Sequence, residues 1–429
     1  MKFKLKIWQF TSAIWLLIIL LQFTRLTELA VLWFKYFSLL FNDFDGALTL
    51  LDFKLIDSLL SLIIFILVPL IMIVYHRRIK ILKYNLNFSS GVIIILLITF
   101  LMAQIITRGN PDFQKNLSVT KHLSPLSKVK VLHLKIEDSS EGNSLNKFLL
   151  YKRKILREVF NESIIYADSI GAITSDKILY HQKNIMKEIP DDKLIKDNRE
   201  PLVTTKTFLL GTDEFGRDTF TRLVYGLRIS LLVGIGAVFI SFLLGITLGF
   251  IAGYKGGLID MVLNRFAELL LAFPVIYLVV LILALFSSSL FAVVIVLGIS
   301  GWMSLFKIVR GEVNSLKQKD YIQTSKLLGI KSNKILFREI LPVIIAPVIV
   351  NLIFQFSNVI LAESALSYLG LGTGDSYPSW GAMIQSGQEY ITKAWWMIIF
   401  PGGCLVVTLF SANYFGRRLN KFFNPRLDI

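Results

Sequence analysis

One cysteine, Cys404, occurs in 429 residues. A single thiol excludes an intrachain disulfide and leaves no thiolate set for a metal. It lies inside an apolar run and reads as a small buried side chain. Histidine is almost as scarce, with four in the chain. His122, His133 and His181 are scattered along a polar stretch, and no H-E-x-x-H pairs two of them on one helix face, so no metal site is expected. No G-x-x-x-x-G-K-[ST] loop occurs, so nothing in this chain is built to cradle ATP phosphates. The short G-x-G-D at Gly372–Asp375 matches the pattern of intramembrane aspartyl proteases, but that chemistry needs two facing aspartates at membrane depth. No aspartate lies deep in any apolar run, so an enzyme is not expected. Acidic residues are also short: 30 against 46 lysines and arginines, a net charge of +16. The excess flanks apolar segments, which points to topology and anionic head groups, not to nucleic acid.

What the chain has in abundance is apolar length. It is 54% hydrophobic, whereas globular domains sit at about 45–50%. The surplus falls in charge-poor runs at about Ile7–Phe23, Ile56–Tyr75, Val92–Ile106, Ile229–Tyr254, Leu269–Phe286, Leu290–Phe306, Val343–Ala362 and Trp395–Phe415. Runs of this kind suit a hydrocarbon core about 30 Å thick. In lipid they must be helices, because every backbone polar group has to be satisfied within the segment. The fold class expected is an all-α polytopic membrane protein with about eight spans, three before and five after a polar insertion. The first run is followed by Arg25, Glu28 and aromatics instead of a small-residue cleavage site, so it reads as an uncleaved helix. Leu29–Phe41 reads as an interfacial stretch.

Basic flanks orient the spans. Lys2, Lys4, Lys6 and the segment His76–Lys83 belong inside the cell. Alternation then places Lys255–Arg265, Lys307–Pro342 and the C-terminal GRRLNKFFNPR inside as well, with both termini cytoplasmic. Three regions follow: residues 1–107 with three spans, an extracytoplasmic region at 108–208, and a core at 209–429 containing a cytoplasmic loop at 311–342. Within 108–208, SKVKVLHLKI alternates like a strand and NKFLLYKRKILREVF is patterned as an amphipathic helix, so a mixed α/β insertion is expected.

Three patterns in the core carry physical meaning. Ala237, Ser241, Gly245, Gly249 and Gly253 recur every four residues on one helix face, where small side chains let backbones approach in lipid. Asn351, Gln355 and Asn358 share a face of another span, and amides there should meet other helices or a water-filled path. Interhelical hydrogen bonding and a path lining both remain open. Glu363 stands near the outer end of the same span, at the interface or in a gate. The loop YIQTSKLLGIKSNKILFREILP (Tyr321–Pro342) reads as a helix, a left-handed cap at Gly329 and a second helix started by Ser332. Pro342 suits the first turn of the next span. A rigid, basic, half-apolar elbow on the inner surface suits docking to a cytoplasmic partner.

This loop resembles the cytoplasmic loop of bacterial ABC importer permeases, E-A-A followed at a fixed distance by glycine and closed by I-L-P. Gln323-Thr324-Ser325 stand at the E-A-A positions, Gly329 at the glycine, and Ile340-Leu341-Pro342 at the end. The glutamate is replaced. LLGTDEFGRDTFTRLVYGLRISL (Leu209–Leu231), LAFP (Leu271–Pro274), LAESALSYLGLG (Leu361–Gly372), PSWGAMI (Pro378–Ile384), FPGG (Phe400–Gly403) and NPR (Asn424–Arg426) resemble the C-type subunit of oligopeptide and dipeptide transporters, in order. The resemblance covers about half the chain and none of the residues before about Lys206. It implies a type I importer permease core with an ATPase-coupling loop at Tyr321, Gln323, Thr324, Ser325, Gly329 and Pro342. It also implies a second permease chain, two ATP-binding subunits carrying ATP and Mg, and an extracytoplasmic solute-binding protein. The implied site is a bacterial inner membrane and the implied cargo is peptide. Nickel, glutathione or another small solute, or a mechanotransmitter that moves nothing, are the alternatives.

Overall fold

In the computed structural model the residues described are 6–75, 87–107, 109–135, 144–156, 164–173, 177–183, 185–197, 200–286, 289–372 and 377–423. They group into two compact units. The first takes in residues up to Leu86, Ile94–Leu227 and Ser386–Pro401; the second takes in Asn87–Ile93, Arg228–Gln385 and Gly402 onward.

The first unit begins with α1 (Ile7–Asn42), α2 (Phe44–Thr49), α3 (Phe53–Tyr75) and α4 (Phe88–Ile106), the last shared with the second unit. The stretch Leu29–Phe41, expected at the interface, forms the second half of α1. This is one 36-residue helix with a kink at Gln22. Leu29 and Leu32 are fully buried, and Trp15, Ile18, Arg25, Trp33, Tyr36 and Leu39 continue the same stripe at helical spacing. Arg25 belongs to that face because its guanidinium donates to the carbonyls of Ile155 (2.7 Å) and Gln104 (3.3 Å). Trp15 donates its indole N–H to the Phe65 carbonyl at 3.0 Å. That acceptor is free because Pro69, four residues on in α3, has no N–H to offer it.

The polar insertion adds a short α5 (Leu117–Thr120), then β1 (Ser127–His133), the helix α6 (Ser144–Leu156) and strands β2 (Ile164–Ala167), β3 (Ser169–Ile173), β4 (Lys177–Gln182), β5 (Ile185–Pro190), β6 (Lys196–Asp197), β7 (Glu200–Pro201) and β8 (Val203–Phe208). The alternation in SKVKVLH puts Val129 and Val131 in a core with Lys128 and Lys130 outside. Among the described residues two three-stranded antiparallel sheets form, ordered β2-β1-β8 and β3-β4-β5, and β6 pairs with β7 in a third, two-stranded one. Helix α6 packs its Phe148, Ile155 and Leu156 into the α1–α4 core. Its Lys152 is buried, donating to the Leu50 carbonyl (2.9 Å) and pairing with Asp52 (2.7 Å).

GTDEFGRD (Gly211–Asp218) closes the insertion as a charge-locked turn. Asp213 accepts from the backbone N–H of Phe215 and Arg217 and from Arg217 Nε at 2.6 Å. Gly211 has φ +76, and a Cβ there would come within 2.4 Å of the Leu123 carbonyl, so only glycine fits.

The remaining helices are α7 (Thr219–Lys255), α8 (Gly257–Ala272), α9 (Val275–Phe286), α10 (Leu290–Leu316), α11 (Asp320–Leu327), α12 (Ser332–Ile335), α13 (Leu341–Tyr368), α14 (Trp380–Gln388) and α15 (Trp396–Phe423). Seven helices in the described chain are long and apolar enough to cross a membrane, or eight if α8 and α9 count as one bent span. The apolar run expected as one span at Leu269–Phe286 is not a single straight helix: it falls across the end of α8 and the whole of α9, which meet at an 85° bend. Phe273 is extended (φ −88, ψ 138) because it precedes Pro274, and the helix cannot run through.

In the second unit α7 lies along α10. A Cβ on Gly245 would meet Leu305 at 2.8 Å, on Gly249 Val309 at 2.7 Å, and on Gly253 Val313 at 2.8 Å. Ser241 donates to the Gly298 carbonyl at 2.6 Å, and Ala237 is fully buried beside the same glycine. Each residue of the four-residue stripe thus sits against the same helix.

Candidate functional site: the elbow and the amide face

Helix α10 continues well past Phe306, to Leu316. Its extension carries Val309 and Val313, both fully buried, and the elbow packs on them through Ile322, Ile335, Ile340 and Ile344. Gly329 is left-handed, φ +75. The second helix is capped by Lys331, with no side-chain bond, and not by Ser332, which is already its first residue. It is also short: Leu336–Ile340 wind as a single π turn before α13. Pro342 explains the widening, since it cannot donate to the Arg338 carbonyl and its ring crowds that atom.

The loop residues singled out by sequence have distinct settings. Tyr321 is exposed. Gln323, at the replaced glutamate, is exposed and donates to the Gln318 carbonyl at 3.2 Å. Thr324 donates to the Asp320 carbonyl at 2.8 Å. Ser325 donates to Glu339 Oε1 at 3.0 Å and ties the two halves of the elbow together. Glu339 was not legible beforehand, because its role depends on the elbow folding back. Leu327 and Leu328 are 88% and 75% exposed, and Phe337, Lys331, Lys334 and Arg338 of the same elbow are exposed as well.

The amide face divides. Asn351 Nδ2 reaches Ser304 Oγ at 3.4 Å, and Gln355 lies against Gly301, where an added Cβ would sit 2.1 Å from its Nε2. Asn358 is exposed and does not join them. Both polar atoms of the Gln355 amide, and Asn351 Oδ1, are buried without a hydrogen-bond partner among the described residues. A buried orphan of this kind costs about 1–3 kcal/mol, so it calls for an explanation beyond packing. Gly374 and Asp375 of the G-x-G-D match, and Asn424–Arg426, lie outside the described residues.

The described chain carries long apolar helices, a folded α/β insertion and a surface elbow packed on α10. The family model "Binding-protein-dependent transport system inner membrane component" matches residues 245–429. The dipeptide transport system permease protein DppC of Bacillus subtilis (strain 168) is 39% identical over 218 residues, which cover 51% of this chain and 68% of that protein. The oligopeptide transport system permease protein OppC of Haemophilus influenzae is 39% identical over 216 residues, covering 50% and 70%. The chain belongs to this family of binding-protein-dependent permeases. Among solved structures, the MetNI methionine ABC transporter in an inward-facing form aligns over 48% of this chain and 97% of its own, at 16% identity and TM-score 0.41, a likeness too loose to argue from.

Proposed function

We infer that the chain is the transmembrane permease subunit of an ATP-driven importer for oligopeptides or dipeptides, with ATP and Mg held and ATP hydrolysed by separate subunits. The observation that carries this reading is the elbow Tyr321–Pro342. Its inner isoleucines are locked to α10, while Leu327 and Leu328 are left bare. Large apolar residues exposed together on a rigid element ask for a partner groove. A displacement of the docked elbow passes into α10 and α13, since it is packed on one and continuous with the other. Gln355 and Asn351, with their unspent hydrogen-bonding capacity, suit the wall of a solute path. The reading further pairs the chain with a second, different permease subunit and an extracytoplasmic solute-binding protein in a bacterial inner membrane, both termini cytoplasmic. Residues 108–208 are a surface for that binding protein.

Leu328→Asp tests it. In the transporter co-expressed with its ATP-binding and second permease subunits, the variant inserts normally but loses co-purified ATPase and ATP-dependent uptake of labelled peptide. Full ATPase recovery with Leu328→Asp would overturn the docking assignment. Uptake of nickel or glutathione in place of peptide would reassign the cargo, and ATPase docking without any uptake would make the chain a mechanotransmitter.

A further inference from the structure

Glu363, in α13, is fully buried. An ionisable group at such a place is expensive in a membrane span and points to a function. Its two carboxyl oxygens each end a chain of donors. On one side the Trp380 N–H donates to Ser230 Oγ (3.4 Å), which donates to Glu363 Oε2 (3.2 Å). On the other the Ala382 N–H donates to Ser379 Oγ (3.2 Å), Ser379 donates to Ser367 Oγ (3.2 Å), and Ser367 donates to Glu363 Oε1 (2.8 Å). Both chains begin at backbone amides of the first turn of α14, groups that a helix start leaves without intrahelical partners. Ser230 and Ser379 accept from α14 amides, Ser367 accepts from Ser379, and each hydroxyl donates onward toward Glu363. Such a relay polarises in one direction and needs an acceptor at its end. Gly381 makes the arrangement possible, since a Cβ there would stand 2.7 Å from the Cα and carbonyl oxygen of Ser364.

We propose that Glu363 is a positioning residue for transport: the acceptor on which the first turn of α14 is suspended, holding that turn against α7 and α13. The link between this suspension and transport rests on the permease reading above; the suspension itself does not. Other carboxylates of the second unit are spent differently, Asp260 on Arg310 and Glu339 on Ser325. Glu363, among the described residues of this unit, takes one hydroxyl from α7 and one from its own helix, and both lead back to the start of α14.

Glu363→Gln turns one acceptor oxygen into a donor and breaks one relay while keeping size and shape. The full chain in lipid nanodiscs is compared with wild type by amide hydrogen exchange, and the assembled transporter by uptake per ATP hydrolysed. Exchange over residues 380–385 rises about tenfold, the effect of losing one or two buried hydrogen bonds, while α10 stays protected. Uptake per ATP falls several-fold. Ser230→Ala, which cuts only the Trp380 relay and spares the carboxyl, gives a smaller rise over the same residues and stands in if Glu363→Gln does not insert. Unchanged exchange at 380–385, or an equal rise there and in α10, would overturn the proposal and leave Glu363 a packing residue. A localised rise with no peptide uptake by the wild type would leave the suspension standing and remove the peptide reading.

Discussion

The two units bring helices together by opposite means. In the first, long side chains cross the gaps: Arg25, Lys152 and two tryptophans reach backbone carbonyls or hydroxyls on other segments. In the second, α7 and α10 close the gap itself, glycine by glycine. Lipid offers no hydrophobic force between helices, so association must come from close packing or from polar groups with nowhere else to go. The first unit uses polar reach and the second uses proximity. The lesson is that their tolerances should differ. Reach survives a change of side-chain volume but not loss of a donor; proximity survives neither a methyl group nor anything larger.

The sharpest test of the contrast is Gly249→Leu. A Cβ alone would stand 2.7 Å from that of Val309, and overpacking costs about 1–3 kcal/mol even where neighbours can shift. Thermal unfolding in detergent should show the largest loss of the series, and a wild-type melting temperature would refute close packing as the basis of the α7–α10 pair. Lys152→Met comes next. It keeps volume but leaves the Leu50 carbonyl without its donor, while Asp52 keeps the Leu55 N–H, for a loss of about 1–3 kcal/mol. Denaturant midpoints would break the comparison if this swap proved neutral.

The smallest effect is a pH dependence at His122, in the loop between α5 and β1. Burial, then the charge of Lys121, lowers its pKa below the ordinary histidine value, against a weaker opposing pull from Asp213. The unfolded chain therefore takes up a proton first as pH falls. Stability is full above the ordinary value of about 6.5 and declines as pH drops through it. His122→Asn tolerates the left-handed backbone (φ 55) and should flatten the melting temperature between pH 7 and 5. An unaltered slope would assign the dependence elsewhere.

Local pattern was enough for some of this and blind to the rest. The small-residue stripe is legible because its four-residue spacing lies close to the helix period of about 3.6 residues, which keeps it on one face. Gly329 is legible because few residues other than glycine end a helix comfortably with positive φ. The second half of α1 was not. Arg25 and Glu28 look like the end of a span, and the carbonyls that accept from Arg25 lie 79 and 130 residues away. The bend before α9 could have been found from Pro274, which forbids helix at Phe273. The setting of Glu363 could not, because Ser230 is 133 positions distant and nothing about an isolated serine marks it as a relay.

The π turn at Leu336–Ile340 has one more consequence. An α-helix advances about 100° per residue, so one surplus residue wound into a wider turn rephases everything beyond it. The isoleucines that seat the elbow and the inward face of α13 are thus in step only across that irregularity. Removing a single residue between Leu336 and Ile340 would let this stretch wind as ordinary α-helix with both flanks still in step, whereas removing one residue from the α-helix just beyond it would turn the elbow about 100° off its seat.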